Sequence, residues 1–136
     1  MMKATELMVG NIVEIDGKPQ RIRSVTRRKV AYCRLNSPNQ SYARIHDIAP
    51  IPITEELLVK NGFKSCREVS FICEPTSTYE ITIGEKNCYI NTTVWNGIWS
   101  FGIFEDRQNL ARAFVQHLHQ LQNLLNIMDI KLDFVV

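Results

Sequence analysis

The chain has 136 residues, of which 45% are hydrophobic and 22% are charged, and its formal net charge is +2. This composition excludes a disordered, collagen-like or coiled-coil protein, and the length suffices for a core that needs neither disulfides nor a metal. The first residues lack the apolar segment of a signal peptide, and no apolar run is long enough to span a membrane. We therefore expect a cytoplasmic protein without a membrane partner.

Positive charge is concentrated near the N-terminus. Residues 1–50 contain nine Lys and Arg against four Asp and Glu, whereas residues 51–136 contain seven against ten. An asymmetry of this kind is typical of a surface that attracts nucleic acid or an acidic protein.

Residues 9–46 have the pattern of short antiparallel strands. The run Gln20–Val25 alternates polar and apolar residues, the period of a half-buried strand, and Asp16-Gly17 is a hairpin turn signal. Similar runs recur at Val30–Leu35 and Tyr42–Ile45. We assign residues 1–50 to a basic, SH3-like antiparallel β lobe.

A short helix is expected after the Pro50-Ile51-Pro52 boundary. Thr54 is a candidate N-cap, and Gly62 suits the left-handed position that ends a helix, with Phe63 packing back on the last turn. This helix opens a second region, residues 51–136, which we expect to pack with the first as one compact unit.

Residues 78–104 predict a three-stranded antiparallel meander. Asn96-Gly97 is the strongest short hairpin signal, and it places Ile90 opposite Ile103. A second loop at residues 84–87 places Ile81 opposite Ile90, and the two turns agree on one apolar face.

A long helix is expected to begin at Asp106 and to cover that apolar face. Its apolar stripe starts at Leu110 and Phe114 and continues through Leu118 and Leu121. The alternating tail Ile130–Phe134 predicts an edge strand. The expected fold class is therefore α+β: an SH3-like β lobe plus a meander covered by one long C-terminal helix.

Three segments resemble a family of short, uncharacterised proteins of gut anaerobic bacteria and their prophages or other mobile elements. They are LMVGNIVEIDGKPQRIRSV, IAPIPITEELLVKNGF and HLHQLQNLLNIMDIKL. The chain departs from that family after Leu124, where Asn126–Asp129 replace an acidic Gly-Glu-Glu turn. The resemblance implies a shared fold and a bacterial, mobile-element setting, and it transfers no functional residues.

Enzyme signatures are missing from the sequence. It has no nucleophile elbow, P-loop or dinucleotide fingerprint, and its cysteines lack zinc spacing. On the expected helix, His117 lies within the apolar stripe and His119 lies outside it, too far round to share a metal. We therefore predict a non-enzymatic binding or accessory protein without catalytic residues, cofactor or metal, with four thiols that are mostly buried.

The first candidate site is the basic N-terminal lobe. Arg21 and Arg23 alternate on one strand, and basic residues of a small β lobe can contact phosphates while aromatic residues stack on bases. An ordinary solvated face or an acidic protein partner remains an alternative. The candidate nucleic-acid-binding residues are Arg21, Arg23, Arg27, Arg28, Lys29, Tyr32, Arg34 and Arg44, with Tyr42 as a second stacking residue.

The second candidate site is the outer face of the meander. Tyr89, Trp95, Ile98 and Phe104 would lie there among small polar residues, a pattern that suits a protein interface. The alternative functions are therefore a homo-oligomeric interaction module that uses these residues, or an unrecognised enzyme with a site between the lobes.

Overall fold

A computed structural model of the protein describes residues 2–35, 37–66, 78–92, 97–105 and 108–136. Within these residues the fold is mostly β, with two five-stranded antiparallel sheets and two short α-helices. The α+β prediction is therefore wrong. The strands are β1 (Ile12–Ile15), β2 (Lys18–Val25), β3 (Lys29–Arg34), β4 (Gln40–Arg44), β5 (Ile48–Ala49), β6 (Lys64–Cys66), β7 (Thr78–Ile83), β8 (Lys86–Thr92), β9 (Trp99–Glu105) and β10 (Gln108–Val115), and the helices are α1 (Glu55–Lys60) and α2 (Leu118–Ile127).

The chain divides into two compact units. Unit 1 comprises Met1–Pro52 and His117–Asp129, and unit 2 comprises Ile53–Gln116 and Ile130–Val136. Neither α1 nor α2 combines the length and the hydropathy that a membrane-spanning helix requires.

The sheet of unit 1 has the strand order β4-β3-β2-β1-β5. Strands β2 to β4 overlap the three runs that predicted them, and a 3-10 turn, Ile45–Asp47, joins β4 to β5. One face of the sheet is apolar and forms the core of the unit, because alternate residues of each strand point to the same side. The core comprises Met2, Leu7, Val13, Ile15, Ile22, Val30 and Ile48.

Helix α2 belongs to unit 1, where it contacts β1. The Ile12 amide donates to Gln122 Oε1 at 2.9 Å, and Asn11 Nδ2 donates to Asn123 Oδ1 at 2.7 Å. The prediction that this helix covers the meander is wrong. An apolar stripe shows that a helix has a buried face, but it does not show which sheet the face meets.

The sheet of unit 2 has the order β10-β9-β8-β7-β6, so five strands replace the three of the predicted meander. Its buried face includes Tyr79, Cys88, Ile90, Phe101 and Ile103. Ile90 and Ile103 were predicted on one apolar face and lie on the buried one, although both expected registers are wrong by two residues. Ile90 pairs with Phe101 on one side and with Tyr79 on the other. Side chains alternate with a period of two, so a slip of two residues preserves the face.

The largest error concerns residues 108–115, which form β10 and not the first turns of a helix. Ala111, Ala113 and Val115 pair with Ile103, Phe101 and Trp99 of β9. The two large apolar residues that suggested a helical stripe, Leu110 and Phe114, are exposed. A spacing of four residues places two side chains on one side of a helix and also on one face of a strand, so it does not distinguish the two.

Helix α1 begins and ends as predicted. Thr54 Oγ1 accepts a hydrogen bond from the Leu57 amide at 3.2 Å, which caps the N-terminus. At the other end Gly62 has a φ of 90°, and the Phe63 amide donates to the Leu58 carbonyl at 3.0 Å, the geometry of a Schellman motif.

The C-terminal tail is not the predicted edge strand. The buried Asn61 side chain holds it instead: Asn61 Oδ1 accepts from the Val135 amide at 2.6 Å, and Asn61 Nδ2 donates to the Val135 carbonyl at 2.8 Å. A side-chain amide thus supplies the pair of hydrogen bonds that a neighbouring strand would otherwise make.

Candidate nucleic-acid interface

The pairing register of unit 1 separates its side chains into two faces. Directly paired residues share a face, so the face opposite the core carries Arg21 and Cys33 at one end and Lys29, Tyr42 and Arg44 at the other. We call this the outer face of unit 1, although Ile12, Ala31 and Cys33 on it are buried.

Arg21 and Arg23 lie together on the outer face, as predicted. The β2–β3 register shifts between Ile22 and Ser24, and Arg23 is the extra residue. Arg23 Nε donates to Cys33 Sγ at 3.1 Å, and Arg21 Nη1 donates to the Gly10 carbonyl at 3.3 Å. Both guanidinium groups are therefore anchored within the unit, and Arg23 remains exposed.

The other end of the outer face adjoins a basic cleft. Arg28, Lys29, Arg44 and His46 line it together with the apolar residues Met2 and Ile45, and its volume is about 490 Å³. These six lining residues include no carboxylate. The cleft is therefore lined by three cations, by two apolar side chains and by His46, whose Nε2 lies 3.5 Å from Asp47 Oδ1.

Lys29 and Arg44 are directly opposite each other in the β3–β4 ladder. Like charges at opposed positions destabilise a sheet because their side chains lie within about 5 Å of each other. In the described part of the chain, no carboxylate forms an ion pair with either residue. An anion bound between them would remove this repulsion.

The backbone around the cleft is well defined by hydrogen bonds. The Thr26 amide and hydroxyl both donate to the Lys29 carbonyl at 2.9 Å, which closes the β2–β3 turn. The Ile45 amide donates to the Arg28 carbonyl at 3.1 Å, so the turn is held beside the end of β4. These bonds bring Arg28 to the same cleft as Arg44.

Tyr42 is an exposed aromatic residue next to the cleft. Its side chain is 66% exposed, and Lys29 Nζ lies 5.1 Å from the centre of its ring. A large exposed ring that already attracts a cation is suited to stacking on an unpaired base.

Tyr32 and Arg34 occupy the opposite face. Tyr32 pairs with Ile22 and Ser41, and Arg34 pairs with Gln20, so both belong to the core side of the sheet. They line a second cavity of about 400 Å³, which we call the mouth pocket. Its lining residues are Ile15, Asp16, Lys18, Gln20, Tyr32, Cys33, Arg34, Ser37, Asn39 and Ser41.

The predicted basic residues therefore do not form one patch. Arg28, Lys29 and Arg44 line the cleft, and Arg21 and Arg23 lie further along the outer face. Arg27 is exposed in the β2–β3 turn, and Arg34 and Tyr32 line the mouth pocket.

Sequence reasoning missed most of the residues that line these two cavities, and His46, Lys18 and Gln20 are among them. His46 follows β4 in the 3-10 turn and reaches the cleft, whereas Lys18 and Gln20 line the mouth pocket. The β2 alternation, with Gln20 and Ile22 on one face, already placed Gln20 on the core side. A glutamine at a position where the strand pattern places core residues was the sequence feature that could have indicated this pocket.

Two residues of the second candidate site contact each other. Tyr89 and Phe104 form an edge-to-face pair with ring centres 5.5 Å apart. Both are half-buried, as is Ile98, and Trp95 lies outside the described residues. Phe104 packs close over Gly102, where an added Cβ would meet its ring at 3.0 Å.

The histidine predictions are reversed by the structure. His117 is the half-buried N-cap of α2 with an extended backbone, and His119 is buried. Their rings stack with centres 5.9 Å apart, because His117 lies outside the helix whose geometry had separated them. Burial lowers the pKa of both side chains, and the neighbouring His117 further lowers the pKa of His119.

Metal-ligating side chains do not cluster in the described part of the chain. No three His, Cys, Asp or Glu side chains there are arranged to hold an ion. Cys33 and Cys88 are buried free thiols, and burial raises the pKa of Cys88 to about 11.

We compared the chain with protein-family models, with curated proteins and with solved structures, and none of them matches. The resemblance to a mobile-element family therefore stays a prediction from the three quoted segments.

Proposed function

We propose that this protein binds single-stranded nucleic acid through the basic cleft of unit 1. The observation that carries the proposal is the direct opposition of Lys29 and Arg44 beside Arg28 and His46. A polyanionic backbone would neutralise the charges of Lys29, Arg44 and Arg28 and release its own counterions, which is the main source of affinity in such complexes.

Two further features support this ligand. Tyr42 presents an exposed ring beside the cleft, and base–aromatic stacking favours unpaired strands over a duplex. Unit 1 also carries nine Lys and Arg against five Asp and Glu, so its overall field attracts a polyanion.

The test measures fluorescence anisotropy of labelled 12-nucleotide DNA and RNA strands, and of their duplexes, at several salt concentrations. The double variant Lys29→Gln/Arg44→Gln should weaken binding at low salt by about tenfold or more. It should also reduce the slope of log affinity against log salt by about 1–2, because each phosphate contact contributes about 0.7 for a single strand.

The same variant should keep or raise the thermal midpoint, since it removes a like-charge pair from the sheet. The matched control is Lys60→Gln/Lys131→Gln, which neutralises two exposed lysines of unit 2. It should leave both the affinity and the salt slope close to those of the unaltered protein.

Tyr42→Ala separates stacking from charge. It should weaken single-strand binding with little change of the salt slope, because it removes a ring and no cation. Equal loss of affinity in the control variant, or no binding of any strand at low salt, would contradict the proposal. Binding of polyglutamate as tight as that of the strands would instead indicate an acidic protein partner.

A further inference from the structure

We infer that the mouth pocket receives the base of one unpaired nucleotide, with Gln20 reading the base edge and Lys18 and Arg34 holding the phosphate. The inference rests on the proposed nucleic-acid binding and names the part of the ligand that this second cavity takes.

The register places the necessary groups together. Gln20 is directly opposite Arg34, Lys18 lies two residues from Gln20 on the same face, and Tyr32 lies two residues from Arg34. The cavity they line measures about 400 Å³, within the usual range for small-molecule sites of about 300–1,000 Å³.

Gln20 is the observation that points to a ligand. Its side chain is 6% exposed, and its Oε1 atom is buried without a hydrogen-bond partner. The two other amide residues that are buried as a whole, Asn11 and Asn61, are hydrogen-bonded on both amide atoms, whereas the half-buried Asn91 also has an unpaired Oδ1. Since buried polar groups are rarely left unpaired, a turn of the Gln20 amide that brings Oε1 to the pocket would let a donor group of the ligand supply the missing partner.

A nucleobase has the required edge. A glutamine amide offers one acceptor and two donors, and rotation about its last side-chain bond exchanges the atoms that face the pocket. Adenine presents a neighbouring donor and acceptor at N6 and N7, which pair with such an amide through two hydrogen bonds. Tyr32 supplies an aromatic wall to the same pocket.

The charged lining groups would contact two different parts of a nucleotide, its phosphate and its sugar. Lys18 and Arg34 are exposed cations at the rim, and Asp16 is the carboxylate among the lining residues. A carboxylate repels phosphate and accepts hydrogen bonds from sugar hydroxyl groups. The arrangement therefore favours a complete nucleotide over free phosphate.

The first experiment titrates the full chain with adenosine monophosphate and, separately, with inorganic phosphate, by calorimetry at low salt. We expect the nucleotide to bind at least about tenfold more tightly than phosphate. Gln20→Met, which keeps the length and volume of the side chain without its amide, should weaken nucleotide binding by about tenfold, the value of a good paired base contact. Its thermal midpoint should stay unchanged or rise, because the unpaired Oε1 is gone.

Arg34→Gln is the second variant, and it should weaken binding of the nucleotide with a reduced dependence on salt. The matched control is Lys29→Gln/Arg44→Gln, which alters the cleft and leaves the mouth pocket intact. This control should lose affinity for 12-nucleotide strands and keep its affinity for the mononucleotide.

The two proposals fail in different ways. If strands bind through the cleft but the nucleotide binds no more tightly than phosphate, or Gln20→Met binds it unchanged, the inference is overturned and the proposed function stands. If no strand binds at low salt, the proposed function fails and the inference fails with it.

Discussion

Asn11 Nδ2 donates a hydrogen bond to Asn123 Oδ1 at 2.7 Å, across 112 positions of the chain. The two amides belong to a small network, because the Met8 amide donates to Asn11 Oδ1 and Asn123 Nδ2 donates to the Glu6 carbonyl. Asn11 is only 3% exposed, so this network takes the place of water for its side chain. It fastens α2 to the segment that leads into β1.

Asn123→Ala should therefore lower the free energy of unfolding by about 2 kcal/mol, because it leaves the buried Asn11 amide without its acceptor. Denaturant unfolding followed by circular dichroism measures this loss. Asn126→Ala, on the exposed side of the same helix, is the control and should change stability by less than about 0.5 kcal/mol. Equal losses in the two variants would contradict this role of the amide pair, because helix propensity alone favours Ala over Asn.

His119 makes stability depend on pH. It is 3% exposed, its Nδ1 atom has no hydrogen-bond partner, and its pKa in the folded chain is lowered, chiefly by burial and further by His117, against a smaller opposing effect of Glu6. The unfolded chain therefore binds the proton more readily. The contribution of neutral His119 to the free energy of unfolding should be complete above the ordinary pKa of 6.5. It should be lost as the pH falls from 6.5 towards the lower pKa of the folded chain.

The measurement is the thermal midpoint between pH 7.5 and pH 5. His119→Leu should reduce the decline below pH 6.5, since it removes one of the two rings whose pKa folding lowers and leaves the contribution of His117. His46→Gln removes an exposed histidine and should leave the decline in place. A decline that His119→Leu leaves unchanged would assign the pH dependence to other groups.

Cys88 should be inert in the folded protein. Its side chain is fully buried and its pKa is raised to about 11, so almost none of it is thiolate at pH 8. In a Cys33→Ser/Cys66→Ser/Cys73→Ser background, a thiol reagent should label Cys88 only after denaturant is added. Thr82→Cys, introduced at an exposed position in that background, should react at once. Fast labelling of Cys88 in the native protein would show that unit 2 opens readily.

The sequence by itself determined the local features that depend on neighbouring residues. Alternation located β2 and β3, and Thr54 and Gly62 located the two ends of α1, because caps and turns need particular residue types within a few positions. It also determined the buried face of the β7–β9 strands, since that face survives a register error of two residues.

The sequence also separated the basic N-terminal region from the rest, but it did not determine which basic residues meet. Lys29 and Arg44 are fifteen positions apart and become neighbours only through the β3–β4 register. His46 joins them because a 3-10 turn follows β4. The sequence identified Gln20 as a polar residue on a core face, and only the tertiary structure shows that it lines a cavity and that its Oε1 atom lacks a hydrogen-bond partner.

Tertiary structure decided the remaining elements. Residues 108–115 became β10 because β9 offers them a ladder of backbone hydrogen bonds, which outweighs a helical spacing of exposed Leu110 and Phe114. Helix α2 joined unit 1 because Gln122 and Asn123 find hydrogen-bond partners there, more than 100 positions away. Contacts over such distances depend on the packing of the whole chain, so no local pattern of residues could specify them.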